Sequence, residues 1–243
     1  SNEVTVNFAT GDITVTECVH SDFTTASSTV YGSTCTEATN AVTPTVLVAV
    51  DKFTDTAGND NTVSNTYTWT YDTADPTMTI TSNTIASGGS TTTAAVVLIY
   101  TSSEATANFA TGDISGTGCT DDAFTTASSA VYGSTCTVSA DGAASIVVAA
   151  NTFTDATGND NSVSNTYSWT QDDTGPTMTI TSATVASGSS TNTGAVVLIY
   201  TSNEVTVNFA TGDITVTECV HSDFTTASST VYGSTCTEAT NAV

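Results

Sequence analysis

Short apolar stretches alternate with Ser, Thr, Gly and Asp along the whole chain, and turn residues return about every ten positions. Within these stretches apolar and polar residues alternate and β-branched side chains are frequent, which is typical of strands. No segment shows the apolar stripe of a helix. In the middle of the chain the pattern predicts seven strands, at residues 77–81, 94–100, 104–109, 113–119, 130–137, 144–150 and 162–169. An all-β fold, an antiparallel sandwich, is therefore expected.

Two aromatic residues mark the expected core of this sandwich. Tyr167 and Trp169 alternate on the last predicted strand, so both side chains are expected to face inward. Leu98 and Val147 are the neighbours that we expect for them. Core packing is the interpretation we prefer over a platform for a ligand.

The chain is a tandem array. Residues 1–42 return letter for letter at 202–243, and a diverged copy of the same stretch begins at Ser102. The pattern predicts a partial repeat at 1–75 that lacks its first strands, a complete repeat at 76–175, and a partial repeat at 176–243 that lacks its last strands. The third copy restores the first, so the sequence is interpreted as a window of a longer array. Such arrays usually serve as spacers, scaffolds or multivalent surfaces.

Four sequence motifs follow one another at a fixed period. They occupy residues 97–104, 109–114, 153–161 (Phe-Thr-Asp-Ala-Thr-Gly-Asn-Asp-Asn) and 172–176. In this order they resemble the bacterial-type immunoglobulin-like repeats of large secreted and surface proteins, which are also found in extracellular proteins of protists. The resemblance covers the whole chain and implies tandem immunoglobulin-like β-sandwiches that form adhesin stalks or surface fibres, some of which coordinate calcium near domain junctions. Paired cysteines and scarce basic residues depart from the bacterial members.

The charge balance excludes two classes of partner. The chain has one Lys, Lys52, no Arg, and 24 acidic residues, for a net charge of −23. Nucleic acid and anionic lipid both require Lys and Arg, so neither is an expected partner. The longest apolar runs, at 94–100 and 194–200, are far shorter than the 18 or so residues of a membrane span. No membrane span is expected in these residues.

The six cysteines form three pairs, one in each copy, and the members of every pair are 17 residues apart. They are Cys18 and Cys35, Cys119 and Cys136, and Cys219 and Cys236. A disulfide within each repeat is the preferred interpretation, with free or intermolecular cysteines and a metal site as alternatives. If the strand that starts at Ile13 continues to Cys18, Ile13 and Val15 face inward and the Cys18 sulfur lies on the opposite face, with the Thr side chains. The bridge is therefore expected to join neighbouring strands near the surface. Disulfides indicate an extracellular or cell-surface location.

Clusters of Asp and Asn predict calcium sites in the turn before the last strand and in the linker that follows it. The candidate ligands are Asp55, Asn59, Asp60, Asn61, Asp72 and Asp75, and in the next copy Asp155, Asn159, Asp160, Asn161, Asp172 and Asp173. Calcium takes six to eight oxygen ligands, and no basic residue lies nearby to neutralise these carboxylates. The alternative is turn chemistry alone, because Asp and Asn side chains bond their own backbone.

Catalysis is not expected. His20 and His221 occupy one repeat position at which the central copy carries Asp121, so a triad built on it would be missing there. A nucleophile elbow and a phosphate-binding glycine loop are both absent from the sequence.

The linkers at 72–76 and 172–176 are short, and each ends in Pro, which restricts swivelling between repeats. The expected function is a structural segment of a long extracellular fibre or surface filament that associates with itself. The alternative is the stalk of a calcium-stiffened adhesin. Because the sequence opens at the third strand of a repeat, the fibre is favoured.

Overall fold

A computed structural model describes residues 1–37 and 39–239. The chain divides between residues 172 and 173 into two compact units. The first repeat carries the strands β1 (Ile13–Thr16), β2 (Cys18–Thr25), β3 (Tyr31–Glu37), β4 (Thr45–Val48) and β5 (Tyr67–Thr68). The central repeat carries β6 (Met78–Ser82), β7 (Ser90–Thr91), β8 (Ala95–Ser102), β9 (Ile114–Thr117), β10 (Thr120–Ser128), β11 (Val131–Thr137), β12 (Gly142–Val148) and β13 (Tyr167–Gln171). The second unit carries β14 (Met178–Thr181), β15 (Ala195–Ser202), β16 (Cys219–Thr226) and β17 (Val231–Glu238). The predicted boundaries at 75/76 and 175/176 stay predictions.

The central repeat is a sandwich of two four-stranded sheets, in the orders β10-β11-β8-β6 and β7-β13-β12-β9. All its strand pairs are antiparallel except the short pair of β7 and β13. The expected all-β, immunoglobulin-like sandwich is thereby confirmed. In the first repeat the order β1-β4-β5 forms one sheet and the hairpin β2-β3 another, and in the second unit the order is β14-β15-β17-β16.

A three-residue 3₁₀ turn recurs in every copy, at Thr10–Asp12, Thr111–Asp113 and Thr211–Asp213. The Asp that closes each turn accepts the backbone N–H of the Ala that precedes it, at 2.8 or 2.9 Å. The motif Ala-Thr-Gly-Asp therefore folds locally by its own hydrogen bonds.

The core lies between the two sheets of the central repeat. The first sheet contributes Met78, Ile80, Val96, Leu98 and Tyr100; the second contributes Ala144, Ile146, Val148, Tyr167 and Trp169. The inward orientation of Tyr167 and Trp169 is as predicted, and Leu98 belongs to the same core. The prediction for Val147 was wrong: Ile146 and Val148 are buried, so Val147 faces the other side of the strand. Three consecutive apolar residues had hidden the alternation.

The predicted strand at 104–109 was also wrong. Only Thr106 forms a bridge, to Asp155, while the N–H of Thr106 bonds Ser129 and that of Ala107 bonds Thr154. Because consecutive backbone groups bond different elements, no ladder forms. Strand β10, in contrast, was not predicted, since its sequence is polar and a bulge at Ala123, with a φ of 52°, interrupts its alternation.

The chain contains the three disulfides, with Cα–Cα distances of 5.6, 5.7 and 5.7 Å, and among the described cysteines none is free. Each bridge closes a two-stranded hairpin. The strand from Ile13 does not continue to Cys18, because Glu17 adopts a φ of 59° and β2 begins a different sheet. The prediction of a bridge near the surface was wrong for the central repeat, where Cys136 is fully buried. Among the described residues, no helix is long and apolar enough to cross a membrane.

Candidate functional site

Three carboxylates meet where the first repeat joins the central one. Asp72, Glu104 and Asp155 place one ligand atom each within 4.8 Å of one another, and among the described residues they form the one group of this kind. Asp72 lies in the linker, Glu104 follows β8, and Asp155 lies in the turn between β12 and β13. The cluster therefore joins three segments that are far apart in the sequence.

Asp155 is buried and organises the turn around it. Its carboxylate accepts the N–H groups of Thr157, Gly158 and Asn159, at 2.7 to 2.9 Å, together with the Asn159 side-chain amide. Burial alone would raise the pKa of Asp155, but these hydrogen bonds together hold it at about 2. Asp155 is thus ionised at neutral pH.

The pKa of Glu104 is shifted in the opposite direction. Burial, and then the negative charges of Asp72 and Asp155, raise the pKa of Glu104 above its ordinary value. Lys52 is the only basic side chain of the sequence besides the two histidines, so three negative charges share this place with little cationic compensation. Such a group favours the binding of a cation or a proton.

The donor set fits a hard divalent cation. Carboxylate oxygens are the ligands that calcium prefers, and the pKa of Glu104 is raised first by burial and then by the negative charges of Asp72 and Asp155. Asp155, however, directs most of its oxygen lone pairs to donors of its own turn. The residues that would hold calcium are thus Asp72 and Glu104, with Asp155 completing the group.

Of the twelve residues predicted from the sequence, the structure brings together Asp72 and Asp155. Asp60, Asp75, Asp160, Asp172 and Asp173 are exposed and lie outside the group. Asn159 donates its amide to the Asp72 carbonyl oxygen, at 3.1 Å, and so ties the turn to the linker. Calcium at these residues stays a prediction.

Asn161 is buried and uses its whole amide inside the turn. Its oxygen accepts the N–H groups of Thr152 and Phe153, and its nitrogen donates to the carbonyls of Ala149 and Ser162. Asn61 makes the four equivalent bonds in the first repeat. Both asparagines therefore bind backbone groups of the turn, whereas the sequence suggested that they bind a cation.

The first repeat shows the same turn. Asp55 accepts the N–H groups of Ala57 and Asn59, and the Asn59 side chain as well. The hydrogen bond from the Asn59 side chain is the main reason that the pKa of Asp55 is lowered. Glu3, Asp55 and Asn59 line an open cleft of about 420 Å³. The turn therefore forms through its own hydrogen bonds in both copies.

Sequence reasoning missed Glu104. The signal that would have found it is recurrence, because Glu3, Glu104 and Glu204 occupy the same position in all three copies. Many other acidic positions differ between copies: Glu17 and Glu218, for example, correspond to Gly118.

A second polar cluster lies inside the central sandwich. The Tyr100 hydroxyl lies 2.9 Å from the Ser134 hydroxyl, which donates to Asp121 at 2.5 Å. Burial raises the pKa of both Tyr100 and Asp121. Because Ser134 is buried, a substrate cannot reach this cluster without opening the sheet. Its role is structural.

The comparison with known families agrees with this architecture. Residues 72–170, which span the linker and nearly all of the central sandwich, match the family model described as "Bacterial Ig-like domain". No curated protein and no solved structure matches the chain. The resemblance inferred from the four motifs is confirmed for residues 72–170, which match the model of the bacterial Ig-like domain.

Proposed function

We propose that this chain is a non-catalytic structural segment of a long extracellular fibre or surface filament. The observation that carries the proposal is the fastened junction between consecutive repeats. On the side of the first repeat, the N–H of Thr73 donates to the Asn40 side chain, and on the side of the central repeat, the Asn159 side chain donates to the Asp72 carbonyl. A short linker held at both ends restricts bending, which suits material whose length grows with the number of copies.

Two further observations support this function. One disulfide in each repeat closes a hairpin, as expected of proteins that fold in an oxidising, extracellular environment. Immunoglobulin-like folds are typically non-enzymatic. The Ser134 hydroxyl lies beside a carboxylate but is buried, and the central repeat contains no histidine that could activate it. Neither feature favours a reactive nucleophile.

Calcium is the cation that we propose for the junction, and it favours a second candidate, the stalk of a calcium-stiffened adhesin. When bound, the ion would supply the positive charge that Asp72, Glu104 and Asp155 lack. It would also join the linker to the next repeat in addition to the existing hydrogen bonds. A junction stiffened in this way serves a stalk as well as a fibre.

Two measurements test these proposals. Electron microscopy and light scattering of the purified protein should show ordered filaments, and a protein that stays monomeric would contradict the fibre. Thermal unfolding in excess calcium and in chelator tests the cation: saturation at about 100 times the dissociation constant stabilises by about 2.7 kcal/mol, a rise of several degrees in Tm. The rise should vanish in Glu104→Gln and persist in Glu3→Gln, the matched change in the first repeat. An unchanged wild-type Tm would remove calcium from the proposal.

A further inference from the structure

The central repeat begins and ends with two segments that run side by side in the same direction. The opening segment, residues 76–91, contains β6 and β7, and the closing segment, residues 162–172, contains β13. Strands β7 and β13 pair in parallel, with Ser90 opposite Thr170. The other strand pairs of this sandwich are antiparallel. Parallel pairing therefore joins the two ends of the repeat.

Backbone hydrogen bonds join the opening and closing segments near both of their ends. Where both segments begin, the N–H of Ser162 donates to the carbonyl of Pro76 at 3.0 Å. Where both segments end, three bonds of 2.7 to 2.9 Å run from the N–H of Gly88 to the carbonyl of Ser168, from Thr170 to Gly89, and from Asp172 to Thr91. The residue numbers of the partners rise together, so the two segments stay parallel along their whole length.

Two side chains of the closing segment join the segments between these backbone bonds. The oxygen of the Asn165 amide accepts the Ile80 N–H at 2.7 Å, and its nitrogen donates to the Ile80 carbonyl at 3.0 Å. Asn165 thus satisfies both backbone groups of one residue, as a neighbouring strand would. The Tyr167 hydroxyl donates to the carbonyl of Ile85. The contact between the segments is therefore continuous from β6 to β7.

The parallel direction decides how tension acts on this contact. Tension along the chain enters the repeat through the linker at 72–76, where the opening segment begins, and leaves through the linker at 172–176, where the closing segment ends. Parallel segments that are pulled from opposite ends slide past each other, so all the bonds between them share the load. Antiparallel segments pulled from adjacent ends would instead separate one bond at a time.

We propose that the opening and closing segments form a mechanical clamp that lets the central repeat carry tension. While the clamp holds, Met78 and Ile80 of β6 stay buried in the core. The inference rests on the proposed structural function and deepens it, because a fibre or a stalk transmits force between the structures that it connects.

Force makes the lifetime of the folded repeat the quantity that matters. Forced unfolding is governed by the unfolding rate and not by the equilibrium stability. A contact that breaks in the rate-limiting step slows unfolding, whereas a contact that is still formed at that step leaves the rate unchanged. Hydrogen bonds inside the clamp should therefore control the lifetime under force, and those elsewhere in the repeat should not.

Asn165→Ala and Tyr132→Phe are matched variants, because each removes two hydrogen bonds of one side chain. Asn165→Ala removes the two bonds to Ile80 inside the clamp. Tyr132→Phe removes the bonds of the Tyr132 hydroxyl with Thr106 and with the carbonyl of Ser129, at 2.6 and 2.9 Å, outside both segments. Asn165 is exposed, and phenylalanine keeps the ring of Tyr132, so both variants should fold.

Single-molecule stretching of the 243-residue chain, held by peptide tags at its two ends, measures the lifetime of each folded unit at constant force. The double variant Cys119→Ala with Cys136→Ala identifies the step of the central repeat. Without the bridge, whose sequence separation is 17, this step should lengthen by about 5 nm.

Asn165→Ala should shorten the lifetime of the central repeat by about 10-fold, because the segments then slide with two fewer hydrogen bonds to break. Tyr132→Phe should leave this lifetime within about two-fold of the wild type, because its bonds are still formed when the clamp breaks. Equal shortening by the two variants, or no shortening by Asn165→Ala, would overturn the inference.

The measurement also separates the clamp from the fibre proposal, since a single tethered chain reports the clamp and electron microscopy reports filaments. A lifetime that depends on Asn165 in a protein without filaments would support the clamp and contradict the fibre. Filaments of a protein whose lifetime does not depend on Asn165 would leave the fibre standing without the clamp.

Discussion

Replacing Asn161 by alanine tests whether this residue supports the fold or binds a cation. Asn161 is buried, and its side chain makes four hydrogen bonds of 2.7 to 2.9 Å to backbone groups on both sides of the turn. Alanine leaves two N–H groups and two carbonyls without these partners. Water can replace the amide least readily at Phe153, which is buried, and more readily at Thr152 and Ser162, which are half-buried, and at Ala149, which is exposed.

The expected loss of stability follows from these four bonds. A hydrogen bond contributes about 1 kcal/mol net, and a buried group left without a partner costs about 1 to 3 kcal/mol. Asn161→Ala should therefore lower the free energy of unfolding of the central repeat by about 2 to 4 kcal/mol, since water can reach some of the freed backbone groups. Asn61→Ala should cost less, because Asn61 makes the same four bonds at a more exposed position.

Urea unfolding followed by tryptophan fluorescence measures this loss. Trp169 is buried in the central core, and Trp69→Phe in the background makes it the single reporter. The loss should be the same in calcium and in chelator, because the Asn161 oxygen already accepts two N–H groups. A loss below about 1 kcal/mol, or one that appears only when calcium is present, would refute the structural role.

Three other predictions concern the central repeat. The double variant Cys119→Ala with Cys136→Ala should lose about 3 kcal/mol in urea unfolding, since the bridge closes a loop with a sequence separation of 17; an unchanged midpoint would contradict this. Burial raises the pKa of Asp155, but its hydrogen bonds outweigh this effect and hold the pKa at about 2. The ionised carboxylate therefore stabilises the folded state fully above about pH 4, and this stabilisation is lost as the pH falls toward about 2. Tm against pH should fall over this range in the wild type, and Asp155→Asn should flatten the curve. Burial raises the pKa of Asp121, so the negative charge of this carboxylate opposes folding at neutral pH. Asp121→Asn removes the charge but keeps an acceptor for Ser134, so it should raise the Tm at pH 7. Below about pH 3 the wild-type carboxyl is itself protonated, and the variant should not raise the Tm.

Local patterns succeeded where the information lay in neighbouring residues. The repeat, the cysteine spacing and the alternation at Tyr167 and Trp169 all predicted what the structure contains. The errors arose where the decisive contact is distant. Residues 104–109 alternate like a strand, but their backbone bonds two separate segments; β10 is polar because it is an edge strand with one neighbour.

In the candidate site, too, some residues could be predicted from local sequence and one could not. Asp72 and Asp155 were predicted from composition and turn position, whereas Glu104 became a candidate only when the fold brought the end of β8 beside the linker. The oxygens of Asn61 and Asn161 looked equally suited to a cation. Their hydrogen bonds to residues as far as 12 positions away use that capacity inside the turn.

The sequence by itself determined the all-β class, the tandem period, the cysteine pairs and the acidic surface, because each depends on local propensity or on counting residues. Tertiary structure alone decided which carboxylates share a site and which face of β12 is buried. These properties depend on contacts between segments far apart in the chain, and the pairing of two sheets is a collective result of packing that no single segment encodes.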